Sequence, residues 1–204
     1  MAKKNITVNS ENNDKKLKVK DLIFAGAFGA IYIVLMLIVV MFCGAIPILY
    51  IISPLLVGIL CATVYELCVL KVHKFGAALI LGVLFAVVTS SGYLPGLLLA
   101  VVVAVITEFV IMAGKYRSKK MFMLSYLVFN VNMVCPFTNL YFNRGGFMAM
   151  ATEYYGEDYA NGVAALAVSW LPLAQIALAV IGAGIGVLIS SKLISRHFEK
   201  AGLI

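Results

Sequence analysis

Residues 22–47 read LIFAGAFGAIYIVLMLIVVMFCGAIP, with no charged side chain in the run. A helix that crosses the hydrocarbon of a bilayer takes about 20 apolar residues at about 1.5 Å each. The stretch therefore predicts one span near 22–43, ended by the Gly and Pro of CGAIP at 43–47. Five of the first nine positions are Ala or Gly. A helix facing only lipid gives up apolar surface there, whereas a helix that lets another backbone come close gains by it.

Outward from this helix the same arithmetic repeats. The apolar run continues to Lys71 and predicts a second span near 48–70. Gly76 to Ala113 is too long for one crossing, and SSGYLPG at 90–96 divides it into a third and a fourth. After GKYRSKK (114–120) come a fifth span near 121–142 and a sixth near 162–191, joined by the loop NRGGFMAMATEYYGEDYANG. The expected fold class is all-α: a polytopic bundle of six transmembrane helices over 21–192, with a basic cytoplasmic tail at 1–20 and a short amphipathic basic tail at 193–204. Composition agrees, since the 204 residues are 63% hydrophobic and 12% charged, with a mean hydropathy of +1.04, far from the average of soluble domains. MAKKNITVNSENNDKKLKVK at the start has no short apolar core or small-residue cleavage site, so it reads as a retained tail and not a signal peptide.

Charge tests the span count independently. In the six-span arrangement every Lys and Arg except Arg144 falls on one face, and the positive-inside rule makes that face cytoplasmic, with both termini on it. A count of five or seven would scatter them. The net charge of +7 is thereby explained by topology and phospholipid. No basic stripe with interleaved aromatics is present, so nucleic acid is not expected as a partner. No internal repeat or inverted pair of broken helices of the secondary-transporter kind is visible. Cys43, Cys61, Cys68 and Cys135 lie singly in apolar runs and read as small buried hydrophobes, and His73 and His197 as solvated side chains. No metal or cofactor is expected.

On a helix, positions four apart share a face, so Ala25 pairs with Gly29 and Gly26 with Ala30. Internal packing explains such a pattern, and so does docking on another protein. AGAFGAIYIVL (25–35) is similar to the first helix of S components, the substrate-binding membrane subunits of energy-coupling factor (ECF) transporters, with Gly26 and Ala30 at the two small positions. SKLISRHFEKAGLI (191–204) resembles the carboxyl terminus of the Trep/Strep hydrophobic proteins, a branch of that family, and HFEKAG is its more specific part. The resemblance covers essentially the whole chain. It implies a bacterial cell-membrane protein that docks through helix 1 on a transmembrane T subunit carrying two cytoplasmic ATPases. It also implies capture of a small molecule from outside, in a cavity walled by the outer halves of the later helices.

Polar side chains within spans mark where such a cavity would lie, because each costs free energy in lipid unless it meets a partner or a cavity. Asn130, Asn132 and Asn139 in NVNMVCPFTNLYFNR, Gln175 and Trp170 in the sixth span, and Ser90 and Tyr93 in the break before span four are the candidate substrate contacts. Interhelical hydrogen bonds account for the amides equally, and helix capping for the hydroxyls. Pro136 frees a backbone carbonyl one turn below it. Trp170 reads as eight residues inside its span, deeper than a headgroup belt. Met133, Cys135 and Tyr141 carry side chains of the kinds that ligate haem iron, although packing is the simpler role for each; the aromatic and Met content of the outer half points to haem or a similar aromatic micronutrient as cargo.

Glu66 and Glu108 are the only carboxylates inside spans, each a few residues before a basic loop. Snorkelling or ion pairing with Lys71 and Lys115 is the simpler role; proton relay in a self-sufficient secondary transporter is the alternative. Neither belongs to a nucleophile-base or zinc-ligand constellation, and GxxxxGK[ST] is absent. The expected function is thus a binding subunit and not an enzyme, with ATP hydrolysed by its partners.

Overall fold

The computed structural model describes residues 17–90 and 93–198. Residues 1–16 of the N-terminal tail, 91–92 in the break before the fourth span, and 199–204 of the C-terminal tail lie outside the described residues. Within them the chain is all helical: α1 Val19–Gly44, α2 Pro47–Val72, α3 Ala77–Thr89, α4 Leu94–Ala113, α5 Lys119–Asn130, a 3-10 stretch Val131–Phe137, α6 Thr138–Phe142, α7 Arg144–Tyr155, α8 Glu157–Leu166 and α9 Leu171–Leu193. A π-helical turn, Ile194–Phe198, follows α9.

Among the described residues, five segments are long and apolar enough to cross a membrane: α1, α2, α4, Lys119–Phe142 and Leu171–Arg196. The third expected span, α3, is apolar but has only 13 residues, about 20 Å of helix against a hydrocarbon layer of about 30 Å. Helix boundaries follow local chemistry. Pro47 opens α2 at a position whose N–H has no partner to lose. His73 closes α2 in the left-handed region at φ 48°, and Gly76 turns into α3 at φ 106°, a conformation that glycine adopts without penalty. Ser118 caps α5 by accepting from the Met121 N–H at 3.4 Å.

The core lies where α2 packs between α1 and α9, with α5 crossing it and α3–α4 closing the far side. Aromatic rings fill it: Tyr65 packs on Phe129 at 4.7 Å and on Tyr126 at 5.0 Å, and Tyr32 meets Phe129 edge-on at 5.5 Å. Their hydroxyls are satisfied internally, Tyr65 against Ser125 Oγ at 2.9 Å and Tyr126 donating to the Gly58 carbonyl at 3.0 Å. Large apolar side chains such as Ile23, Val34, Met41 and Phe42 point outward, the surface a lipid solvent requires.

Two expectations are corrected. The segment 143–162 is not a loop: α7 and α8 form a helical hairpin hinged at Gly156, φ 89°. The last span accordingly begins at Leu171 and not near 162, with Pro172 in its first turn as the start signal. Trp170 therefore sits at the entrance of α9 and is 63% exposed, in the position of an interface residue and not deep in a span.

The basic residues gather where the ends of α2, α4 and α9 meet the starts of α1 and α5. Lys74 bonds Asp21 at 2.8 Å, Lys71 and Lys20 lie over the Phe24 ring, and His73 meets Phe122 edge-on at 5.5 Å. The opposite end carries Arg144 and the α7–α8 hairpin.

Candidate ligand site beneath the helical cap

The hairpin packs as a cap on the start of α2, the 3-10 stretch and the start of α9. Phe147, Ala151, Ala160 and Val163 bury their side chains against Ile51, Phe137, Leu140 and Leu171. Arg144 ties the hairpin to itself by donating to the Ala164 carbonyl at 2.9 Å, and Tyr50 tilts onto Phe137 at 4.8 Å. A methyl at Gly162 would come within 3.0 Å of Pro47, so α8 lies directly on the start of α2.

Beneath the cap lie the amides singled out in the sequence. Asn130, at the end of α5, donates through Nδ2 to the Pro54 carbonyl at 3.0 Å and the Ala179 carbonyl at 2.8 Å, linking α5 to α2 and α9. Gln175 of α9 accepts from the Tyr141 hydroxyl at 2.9 Å and donates to the Ile51 carbonyl at 3.3 Å. Pro54, inside α2, lacks the N–H that would bond back along the helix. Gln175 and Asn130 thus supply donors to carbonyls on either side of that interruption.

Both amides are interhelical staples, and two polar atoms remain unspent. Asn130 Oδ1 and Asn132 Nδ2 are buried without a hydrogen-bond partner. Asn132 belongs to the 3-10 stretch that interrupts the fifth span around Pro136, and its Oδ1 lies 4.0 Å from Cys135 Sγ. Thr138 donates to the Cys135 carbonyl at 2.6 Å, and a methyl at Gly96 of α4 would come within 2.9 Å of Thr138 Oγ1 and 3.7 Å of the Tyr93 ring. One free acceptor and one free donor, both neutral, offer hydrogen bonds to an uncharged polar molecule, and an unmade hydrogen bond at such a site costs about 1–3 kcal/mol.

The structure thus buries Asn130, Asn132 and Gln175, with Asn130 and Gln175 both bonded to α2 carbonyls, while Tyr93 is half-buried at the start of α4. Ser90 is half-buried at the end of α3, where its carbonyl accepts from the Tyr93 N–H at 2.8 Å. Asn139 is half-buried and bonded to Asn143 at 2.9 Å, and Trp170 stands outside on the surface. Met133 and Cys135 are core packing, and no cluster of three metal-ligating side chains occurs among the described residues.

The four small residues of α1 divide. Ala25 and Gly29 are buried, and a methyl at Gly29 would come within 2.7 Å of Leu84 on α3. Gly26 and Ala30 face outward, with nothing within 4 Å of the place where a Gly26 methyl would stand.

At the basic end, Glu66 and Glu108 are both 2% exposed. The ion-pair expectation gives way to other contacts. Glu108 of α4 accepts from the Gly76 and Leu79 N–H groups at 2.9 and 3.1 Å, capping α3. Glu66 accepts from the Ser190 hydroxyl at 2.7 Å, a partner that sequence reasoning missed because nothing in the spacing aligns α2 with the end of α9.

No curated protein and no solved structure matches the chain significantly. Residues 19–200 match the family of hypothetical bacterial integral membrane proteins named Trep_Strep, and the chain belongs to that family.

Proposed function

We propose that this bacterial membrane protein is the substrate-binding S component of an ECF-type importer. The observation that carries the reading is the division of small residues on α1. Ala25 and Gly29 are used up in packing against the protein's own bundle, while Gly26 and Ala30 form an outward groove that no internal contact needs. A small-xxx-small face of this kind lets a partner helix approach closely in lipid. The T subunit is that partner in this reading, and its two ATPases supply the energy for which the chain has no nucleotide-binding motif.

The basic end is cytoplasmic by the positive-inside rule, with both termini on that side, so the α7–α8 cap and the buried amides face outside. In this reading a substrate passes the cap, under which Tyr50 packs on Phe137, and meets Asn130 Oδ1 and Asn132 Nδ2. Neutral amides and aromatic rings favour an uncharged or weakly polar micronutrient with a flat, vitamin-like body, haem being one compound of that shape.

A proton-coupled carrier working through Glu66 and Glu108 is the competing reading, and the free oxygen of Glu66 is what favours it. Co-purification separates the two. Tagged wild-type protein is expected to bring down two ATPases and a T subunit from host membranes, and the Gly26→Leu plus Ala30→Leu variant is expected to lose them while remaining folded. Uptake by the purified protein alone in liposomes, with nothing co-purifying, overturns the proposal.

A further inference from the structure

The 13 residues of α3 stop short of the thickness that α1 and α2 cover with 26 residues each. All three meet at one level at the basic end, where Asp21 in the first turn of α1 bonds Lys74 in the turn between α2 and α3. α1 and α3 then run side by side in the same direction, since a methyl at Gly29 would come within 2.7 Å of Leu84. Gly29 stands as far along the chain from Asp21 as Leu84 does from Gly76, so the two helices rise in step. α3 therefore ends at Thr89 level with Val34, and α1 runs on to Gly44, about 15 Å further.

α4 keeps the same low height. Glu108 accepts from the Gly76 and Leu79 N–H groups at 2.9 and 3.1 Å, and a methyl at Gly82 would overlap Ala104 Cβ, so α4 lies along α3 over its length. Leu94, the first residue of α4, thus stands about 21 Å above Glu108. Both helices end about 10 Å short of the far side of a hydrocarbon layer of about 30 Å. The cap does not shelter them: its buried side chains meet Ile51, Phe137, Leu140 and Leu171, and Val87 and Leu94 are 65% and 62% exposed. This end is also polar. α3 stops with the carbonyls of Val87, Val88 and Thr89 beyond the reach of its own N–H groups, and Ser90 and Tyr93 add hydroxyls.

Backbone carbonyls at a helix end that faces hydrocarbon find no partner there, and each costs far more than drawing the bilayer surface in by an ångström. Thinning is the cheaper solution. We infer that the leaflet on the cap side bends inward over the α3–α4 end, so that lipid headgroups and their water stand about 10 Å deeper there than beside α1 and α2. The headgroup layer then supplies the donors that these carbonyls lack. The inference needs only the membrane-spanning bundle and stands apart from the importer reading.

The experiment is spin-label depth measurement on the full chain in phosphatidylcholine vesicles that contain a nickel-chelating lipid. Labels enter at Leu94→Cys, at Val87→Cys and, as the reference, at Leu60→Cys, an exposed position on α2 about 18 Å above Val72. The native cysteines are buried, and wild type carried through the labelling gives the background. In a flat bilayer Leu94 and Leu60 lie at nearly one depth. The bent leaflet is expected to place the Leu94 label about 10 Å shallower than the Leu60 label and to expose it to relaxation by headgroup-bound nickel. Val87→Cys is expected to follow Leu94→Cys, and either suffices if the other does not fold. A difference in depth of less than about half that value overturns the inference. So does relaxation by a water-soluble nickel chelate but not by the nickel lipid, the signature of a water-filled notch in an unbent bilayer.

Discussion

Gly58 of α2 and Gly186 of α9 face each other so closely that a methyl on Gly186 would overlap the Gly58 carbonyl oxygen and press on Ala62 Cβ at 2.8 Å. One turn earlier, a methyl at Gly182 would collide with the backbone of Leu55. The two longest-packed helices of the bundle therefore meet backbone to backbone, the arrangement that small residues permit where the solvent is lipid and cannot drive helices together.

Gly186→Ala and Gly182→Ala are expected to destabilise the folded protein by about 1–3 kcal/mol, because backbone cannot yield as a flexible side chain does. Gly184, on the same helix with nothing within 4 Å of its added methyl, is the control. Gly184→Ala is expected to be neutral or to stabilise by up to about 1 kcal/mol through helix propensity. Unfolding midpoints in detergent check the contrast, and equal effects at the two kinds of site would refute backbone contact as the cause.

Asn130 joins three helices through one amide nitrogen, bonded to the Pro54 and Ala179 carbonyls. Asn130→Leu is expected to cost about 0.6–2 kcal/mol for each lost bond. Asn130→Asp is expected to lose at least one of the two bonds, since a carboxyl in this buried site carries at most one proton where the amide offers two. The ratio of correctly folded to aggregated protein on size-exclusion chromatography ranks the variants, and an Asp variant that equals wild type would remove Asn130 Nδ2 from the list of staples.

Much of this fold is legible in the sequence because lipid simplifies the code. Long apolar runs fix α1, α2, α4 and the Lys119–Phe142 segment to within a few residues, and Pro47 and Pro95 mark the starts of α2 and α4. The cap escapes that reading because α7 and α8 are amphipathic and short, and their helicity comes from packing on Ile51, Phe137 and Leu171, residues distant in sequence. Trp170 is misjudged for the same reason: an unbroken apolar run hides the turn before Pro172. Asn130, Asn132 and Gln175 stand out in the sequence as polar groups within spans, and the structure buries them, while Asn139 is half-buried. Which of their atoms are spent on Pro54, Ile51 and Ala179 depends on helix rotation, which no spacing rule fixes. Ala25 and Gly29 separate from Gly26 and Ala30 only once α3 is seen lying on one of the two adjacent faces.

Asp21 in the first turn of α1 accepts from the Lys18 N–H at 2.8 Å and from Lys74 Nζ at 2.8 Å, tying the start of α1 to the turn after α2. Asp21→Asn is expected to lower stability by about 1 kcal/mol at low salt. The difference from wild type should shrink as ionic strength rises, because this pair lies within reach of solvent ions. A salt-independent difference would assign the effect to the backbone bond with Lys18 and not to the ion pair.

Glu108 performs for α3 what a Ser or Asp at the N-cap performs from within the same helix: its two oxygens accept from the Gly76 and Leu79 N–H groups. Its negative charge also meets the positive end of the helix dipole. Glu108→Gln leaves one acceptor and turns an NH₂ toward a backbone N–H, so a loss of about 1–3 kcal/mol in stability is expected. A capping role and a proton-relay role then diverge in a single assay. If Glu108 caps, substrate uptake in cells, divided by the amount of folded protein in the membrane, stays near the wild-type value and is insensitive to an uncoupler. If uptake per folded molecule collapses while the melting temperature is unchanged, Glu108 carries protons and the carrier reading replaces the binding-subunit one.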